Sequence, residues 1–306
     1  MSILLLNPNK WNDYALLDSG DSQKLERFGP YLFSRPEPQA LWSKRLSNEF
    51  WDAADGTFLS SSSLNDNEAN GKWSIKSHIP DKWEMSYDKI KFFSTPTPFR
   101  HLGFFPDQSP HWDWAANKIS NFITNPNTKV SPKILNLFGY SGLASLHAAF
   151  HGASVTHIDA SKKAINFAFD NRDLSNLNKA PIKYLTDDVM KFVNREIRRN
   201  NKYDAIILDP PKYGRGPNGE KWEISKDLPI LLNLLPRILS EKPLFIILNS
   251  YAIRSSCLSL HYLLKETMEK YVGNCECGEI AILEEQDQPR QICTAIFARW
   301  ESKDFS

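Results

Sequence analysis

From Ile134 onward, short apolar runs alternate with amphipathic or Ala/Leu-rich stretches, and few architectures accept such a pattern. The spacing predicts strands at Ile134–Phe138, Ser154–Ile158 (ending at Asp159), Ile182–Leu185, Ala205–Leu208 and Leu244–Leu248. It predicts helices at Leu143–Phe150, Lys162–Asn171, Val189–Arg199, Ser225–Leu239 and Leu258–Tyr271, with Pro229 in the first turn of the fourth and Pro236 bending it. Strands that alternate with helices make a parallel sheet covered on both faces. Ile280–Leu283 and Ile292–Phe297 follow without an intervening helix and predict an antiparallel hairpin on that sheet. The expected fold class is α/β: a Rossmann-like sheet, mostly parallel, with one antiparallel strand near its end.

Residues 1–95 read differently. Short apolar stretches such as Tyr14–Leu17 and Tyr31–Phe33 alternate with Gly, Pro and Asp turn signals, and Trp42, Trp51, Trp73 and Trp83 add β-favouring aromatics. Ser60–Lys72, rich in Ser and Asn, reads as an exposed loop. Pro96, Pro98, Pro106 and Pro110 disfavour helix before Trp112; Trp112–Ile123 is helix-compatible and Asn125-Pro126-Asn127 ends it. The expected organisation is a smaller β-rich N-terminal domain at 1–95, a connecting segment with a helix at 96–131 and the α/β domain at 132–300. With 306 residues and 41% hydrophobic content the chain can build such a core.

Several classes are disfavoured. A formal net charge of +1 gives no global field for nucleic acid, which leaves only local basic patches. Leu4–Leu6 is too short for a secretory signal, and no run of about 18 apolar residues offers a membrane span. Cys257, Cys275, Cys277 and Cys293 match no C-x-x-C metal or redox spacing and read as free thiols. The expectation is a soluble, cytoplasmic protein with no metal and no membrane partner.

The run Asn136-Leu137-Phe138-Gly139-Tyr140-Ser141-Gly142 leaves the first strand and opens the first helix. Open α/β sheets bind ligands at the carboxyl ends of their strands, beside a topological switch point. Glycine there lets the backbone turn and approach a ligand closely. Two glycines without G-x-G-x-x-G spacing disfavour a dinucleotide, whose pyrophosphate rests on that loop. S-Adenosylmethionine has no phosphate; it needs room for a methionine arm and polar partners for its ribose. Asp159, followed by Ala160, ends the second strand about 20 residues on, where an acid accepts from ribose hydroxyls. Asp187 and Asp188 follow the third strand, and Asp188 is the candidate acceptor for the adenine amine. Each acid taken singly reads as a helix N-cap or a solvated loop charge; their recurrence at successive strand ends favours the cofactor.

After the fourth strand comes Asp209-Pro210-Pro211-Lys212-Tyr213-Gly214-Arg215-Gly216. Two prolines stiffen the backbone and remove two donors, so their carbonyls can point inward. Asp209 adds an acceptor and Tyr213 a flat face. The set suits a planar base held by its amine protons, where positioning for collinear methyl transfer dominates the rate. A rigid surface turn is the bland alternative.

Three segments, Leu135–Gly142, Val155–Ser161 and Asp209–Tyr213, in this order resemble the large-subunit ribosomal RNA methyltransferases that modify cytosine C5 or guanine N7. Gly103–Gln108 resembles the element that precedes their cofactor domain. The resemblance spans roughly residues 100–300. It implies a bacterial-type cytosolic enzyme with S-adenosyl-L-methionine as cofactor and RNA, ribosomal, as partner. It also implies that Asn136, Phe138, Gly139, Asp159 and Asp188 surround the cofactor, together with Tyr140, Gly142, Ala160 and Asp209, and that Asp107 and Gln108 lie close by. The N-terminal region does not resemble the small RNA-binding domain of many relatives. Enzymes that methylate cytosine C5 first add a cysteine thiolate to the ring, and in such relatives this cysteine follows the fifth strand. Here that region reads Leu248-Asn249-Ser250-Tyr251-Ala252-Ile253-Arg254, with Cys257 only beyond it. Nitrogen methylation is therefore favoured.

Tyr251 and Arg254 are candidates to line the substrate mouth and Lys212 and Arg215 to contact RNA phosphates, and Arg195, Arg198, Arg199 and Lys202 read as a solvated helix face. The expected function is methylation of a ribosomal RNA base, with Asp209, Pro210, Pro211 and Tyr213 as catalytic candidates. The alternatives are a protein N-methyltransferase and a non-catalytic RNA-binding or assembly module that keeps the fold. The sequence carries no signal of oligomeric state.

Overall fold

Alternation of side chains along each strand accounts for the architecture of the C-terminal half. The computed structural model describes residues 2–8, 10–60, 71–126, 128, 130–251, 253 and 255–305. The chain divides into two compact units. The larger takes Met1–Leu6, Ser109–Ile280 and Ala295–Ser306; the smaller takes Asn7–Gln108 and Ala281–Thr294.

The larger unit holds an eight-stranded sheet, ordered Ile3–Leu6, Gly273–Leu283, Gln291–Ser302, Phe245–Ser250, Ala205–Leu208, Lys133–Leu137, Ser154–Asp159, Ile182–Thr186. The last five in this order pair in parallel, and Gln291–Ser302 runs antiparallel to Phe245–Ser250. Leu135, Leu137, Ile206, Leu208, Ile246 and Leu248 face one core, completed by helices Val189–Arg199, Ile224–Leu234 and Cys257–Thr267. The alternate residues Ile134, Ala205, Ile207, Phe245 and Ile247 face the other, under helices Ser109–Thr124 and Leu143–Phe150. A strand covered on both faces is apolar at nearly every position, which is the pattern of these runs up to the polar residues Asn136 and Asn249 near their carboxyl ends.

Some boundaries differ from the sequence expectation. The helix expected from Trp112 begins at Ser109, with Pro110 in its first turn, where a missing N–H leaves no hydrogen bond unmade. The helix expected over Ser225–Leu239 is Ile224–Leu234 followed by a 3-10 turn at Leu235–Arg237, because Pro236 has no N–H to continue the ladder. Ile3–Leu6 joins the sheet edge in parallel with Cys277–Ile280, a pairing that no local pattern announces.

The smaller unit is built on a five-stranded sheet, Tyr14–Gly20, Gln23–Phe28, Tyr31–Pro36, Gly56–Ser60 and Gly71–Ile75, and a hairpin of Trp83–Tyr87 with Ile90–Ser94. Of the segment read as a loop, Ser60 and Gly71–Lys72 belong to strands, and residues 61–70 lie outside the described ones. Its aromatics pack together, with Phe33 stacked on Trp83 at 5.5 Å. Glu26, fully buried, is compensated by Arg35 Nε at 2.7 Å and the Tyr14 hydroxyl at 2.8 Å.

Candidate active site

Four strand ends lie on one line. Leu137 pairs with Ile158 on one side and Leu208 on the other, and Leu208 pairs with Leu248. The residues that follow, Phe138, Asp159, Asp209 and Asn249, therefore emerge side by side at the carboxyl edge. The sheet order reverses between Lys133–Leu137 and Ala205–Leu208, so the switch point falls in their midst.

The glycine loop turns through backbone that few residues adopt, with φ of 60° at Phe138, 45° at Tyr140 and 83° at Gly142. At Gly139 the requirement is space: a Cβ would lie 2.3 Å from Cε1 of His157. His157 forms the floor of the loop, fully buried, with Nδ1 3.0 Å from Ser145 Oγ. Burial alone pushes its pKa down to about 3, so the ring stays neutral. Asn136 donates to the same Ser145 Oγ at 2.9 Å and is itself buried, which sets it behind the loop on the side of the Leu143–Phe150 helix. Asn171 donates to Ser141 O at 2.9 Å.

Asp159 bridges two turns, Oδ2 accepting from Tyr140 N at 2.9 Å and Oδ1 from Ser161 N at 2.8 Å. Burial raises its carboxyl pKa and these two amides oppose the rise. Burial, then the Asp159 charge, holds the Tyr140 hydroxyl above its ordinary value. Ala160 sits between the two anchored residues. Asp188 caps the Val189–Arg199 helix, accepting from Lys191 N at 2.9 Å. Its neighbour Asp187 accepts from Asp188 N at 2.9 Å and pairs with Arg195. Of the basic helix face, Arg199 pairs with Glu196 and Lys202 donates to Arg237 O.

Asp209 is held by Asn249, whose Nδ2 donates to Oδ1 at 2.7 Å. Pro210 is buried and Pro211 exposed. The carbonyl of Pro211 accepts from Trp222 Nε1 at 2.7 Å, so one of the two carbonyls expected to face a substrate already has an internal donor. Trp222 also packs on Phe138, ring centroids 4.8 Å apart, a contact worth about 0.5–1.5 kcal/mol beyond burial. The glycine loop and the Asp-Pro-Pro loop are thus tied through one indole. Tyr213 and Arg215 lie on a short strand paired with Lys221–Glu223, and Lys212 Nζ stands 5.3 Å from the Tyr213 ring centroid. Tyr251 is exposed beyond the strand end; Arg254 lies outside the described residues. Asp107 and Gln108 belong to a 3-10 turn of the smaller unit, where burial raises the Asp107 carboxyl against a hydrogen bond with Thr294.

Sequence reasoning missed Asn249, Trp222, His157, Ser145 and Asn171 as members of this site. The available signal was polar residues inside strands that are otherwise apolar: Asn136, His157 and Asn249 each sit within a buried strand at or near its carboxyl end.

The residues fit S-adenosylmethionine. An acid that already anchors the loop stands at the end of the second strand. The Leu143–Phe150 helix starts at Gly142 with no side-chain cap, an end that favours an anion such as the cofactor's carboxylate. No cluster of three His, Cys, Asp or Glu able to hold a metal occurs among the described residues. Fold and site together define the Rossmann-like class of methyltransferases.

The comparisons agree with that class. The profile described as S-adenosylmethionine-dependent methyltransferase matches residues 48–275, and the chain belongs to that family, with S-adenosylmethionine as its methyl donor. The crystal structure of a SAM-dependent methyltransferase from Agrobacterium tumefaciens is 41% identical with a TM-score of 0.91, over 99% of this chain and 95% of that one. A ribosomal RNA large subunit methyltransferase K/L from Shewanella baltica is 35% identical over 248 residues, 76% of this chain and 30% of that protein. A putative ribosomal RNA large subunit methyltransferase from Methanocaldococcus jannaschii is 32% identical over 122 residues, 40% of this chain and 29% of that protein. The matches thus span under a third of these curated relatives' length. No helix among the described residues is long and apolar enough to cross a membrane.

Proposed function

We propose that this protein methylates a nitrogen of a ribosomal RNA base in the cytoplasm. The observation that carries the reading is the Asn249-anchored Asp209 beside the glycine loop, at one line of strand ends. Bound S-adenosylmethionine supplies an electrophilic methyl on a sulfonium. Asp159 and the 138–142 loop bind the donor, with Asp188 beside them. The Asp209 carboxylate and the Pro210 carbonyl accept N–H groups of the base, which aims the nitrogen lone pair along the transfer axis. Asp209 takes the proton that the nitrogen gives up.

The relatives' names support ribosomal RNA as the substrate class. Nitrogen over cytosine C5 is supported by the thiols: Cys257 is buried in the core at the start of its helix, packed with Cys277, rather than presented at the strand end. The test is incubation with labelled cofactor and RNA from cells lacking the protein, followed by nucleoside mass spectrometry. A labelled N-methyl nucleoside supports the reading. Label confined to a C5-methylcytosine, or to protein, overturns it.

A further inference from the structure

We infer that the two-stranded ribbon Tyr213–Arg215 / Lys221–Glu223 is the docking surface for the single-stranded RNA that flanks the target base; the inference rests on the RNA reading above. The ribbon interrupts the connection between the Ala205–Leu208 strand and its helix. Its register pairs Tyr213 with Glu223, Gly214 with Trp222 and Arg215 with Lys221. Side chains of a strand alternate between faces. Gly214 and Trp222 therefore share the inner face, where the indole packs on Phe138 and bonds Pro211 O. A Cβ at Gly214 would touch Pro211 at 3.4 Å and Trp222 at 3.6 Å, consistent with that face being filled. Tyr213, Arg215, Lys221 and Glu223 share the outer face.

The carboxylates of the ribbon and its turn have internal partners. Glu220 is engaged by Lys191 and by Asn218 N. Glu223 is engaged by Lys226 at 2.6 Å and Ser225 Oγ at 2.8 Å. Lys212, Arg215 and Lys221 have no ion pair among the described residues. Between them Tyr213 is 55% exposed, which leaves its ring open to a stacking partner. Unpaired cations around an exposed aromatic face match a nucleic-acid strand, with phosphates on the cations and a base stacked on the ring. A base leaves its stack to enter such an enzyme, which splays its neighbours and frees their faces. The inner face of the same ribbon touches the cofactor loop, so docked RNA and bound donor share one rigid element.

The test uses the full chain and a labelled oligouridylate, titrated across a range of salt. The double variant Arg215→Gln/Lys221→Gln is expected to weaken binding at least tenfold. The slope of log K against log salt is expected to fall by about 1.4, since each phosphate that a cation neutralises on a single strand contributes about 0.7. Tyr213→Leu is expected to weaken binding while leaving the slope unchanged. Titration with S-adenosylhomocysteine, unaltered in all three chains, checks that they are folded. Unchanged affinity and slope in the double variant, or no binding by the wild-type chain, overturns the ribbon assignment while RNA methylation by the wild type stands. A wild-type chain that methylates no RNA from cells lacking the protein overturns the RNA reading itself, and the inference with it.

Discussion

Asn249 and Asp209, 40 residues apart in the chain, meet at 2.7 Å across two parallel strands whose pairing brings Leu208 beside Leu248. The amide holds one oxygen of the carboxylate in place. An acid so placed acts by orientation, and its orientation depends on a neighbouring strand.

Replacing Asn249 with Ala is expected to lower kcat by on the order of a hundredfold, the scale of a roughly 1 Å misplacement. Affinity for S-adenosylhomocysteine should change less than threefold. Steady-state rates and calorimetric titration check the two together. An equal fall in both would show that Asn249 holds the sheet edge as a whole.

Gly139→Ala places a Cβ against His157, a ring itself packed on Tyr184 at 5.1 Å. With backbone or a buried ring forced to move, a stability loss of about 1–3 kcal/mol is expected. Cofactor affinity should fall at least tenfold, because the loop is displaced toward its ligand. Thermal unfolding with and without S-adenosylhomocysteine measures both, and a ligand-induced shift as large as in the wild type would refute the close-approach account.

Trp222→Phe keeps most of the ring against Phe138 and removes the bond to Pro211 O. The expected stability cost is about 1 kcal/mol, the net worth of one hydrogen bond. Methyl transfer should fall more steeply than cofactor affinity, since the freed loop is the one carrying Asp209. Single-turnover rates at saturating cofactor provide the readout.

His157, buried and neutral, makes stability sensitive to acid. Its pKa in the folded chain is about 3, against about 6.5 unfolded. Between these values the unfolded chain binds the extra proton, so stability is full above pH 6.5 and declines as pH falls toward 3, by about 1.4 kcal/mol per pH unit for one histidine. His101, held down to about 4 by burial and then Arg35, adds to the slope from the smaller unit. Asp107 and Asp159, both raised, act in the opposite direction at the acidic end. Denaturant titrations from pH 7 to pH 5 should show the decline, and His157→Asn should remove about one proton's share of it.

Much of this protein is legible without coordinates because the relevant physics is local. Leu143–Phe150, Val189–Arg199 and Ala205–Leu208 fall where periodicity and flanking turn residues put them, since a helix or strand covered by a core must repeat its apolar residues at its own period. The glycine turn and the proline-stiffened acid stand out for the same reason: each constrains its own backbone. What the chain order could not tell is which distant segments meet. Trp222 carried no signal until the fold laid it on Phe138, and Asn249 read as the absence of a cysteine until register set it against Asp209. Asp188 carried two readings, and the structure shows it capping a helix. Ile3–Leu6, four residues of ordinary pattern, closes a sheet edge against residues more than 270 positions away. The sequence determined the main strands and helices of the α/β half, their order and the two loops, because these follow from bonded geometry and near-neighbour periodicity. Tertiary structure alone decided register and the buried polar contacts, because hydrogen bonds between strands depend on how far one slides against the next, and no local pattern encodes that distance.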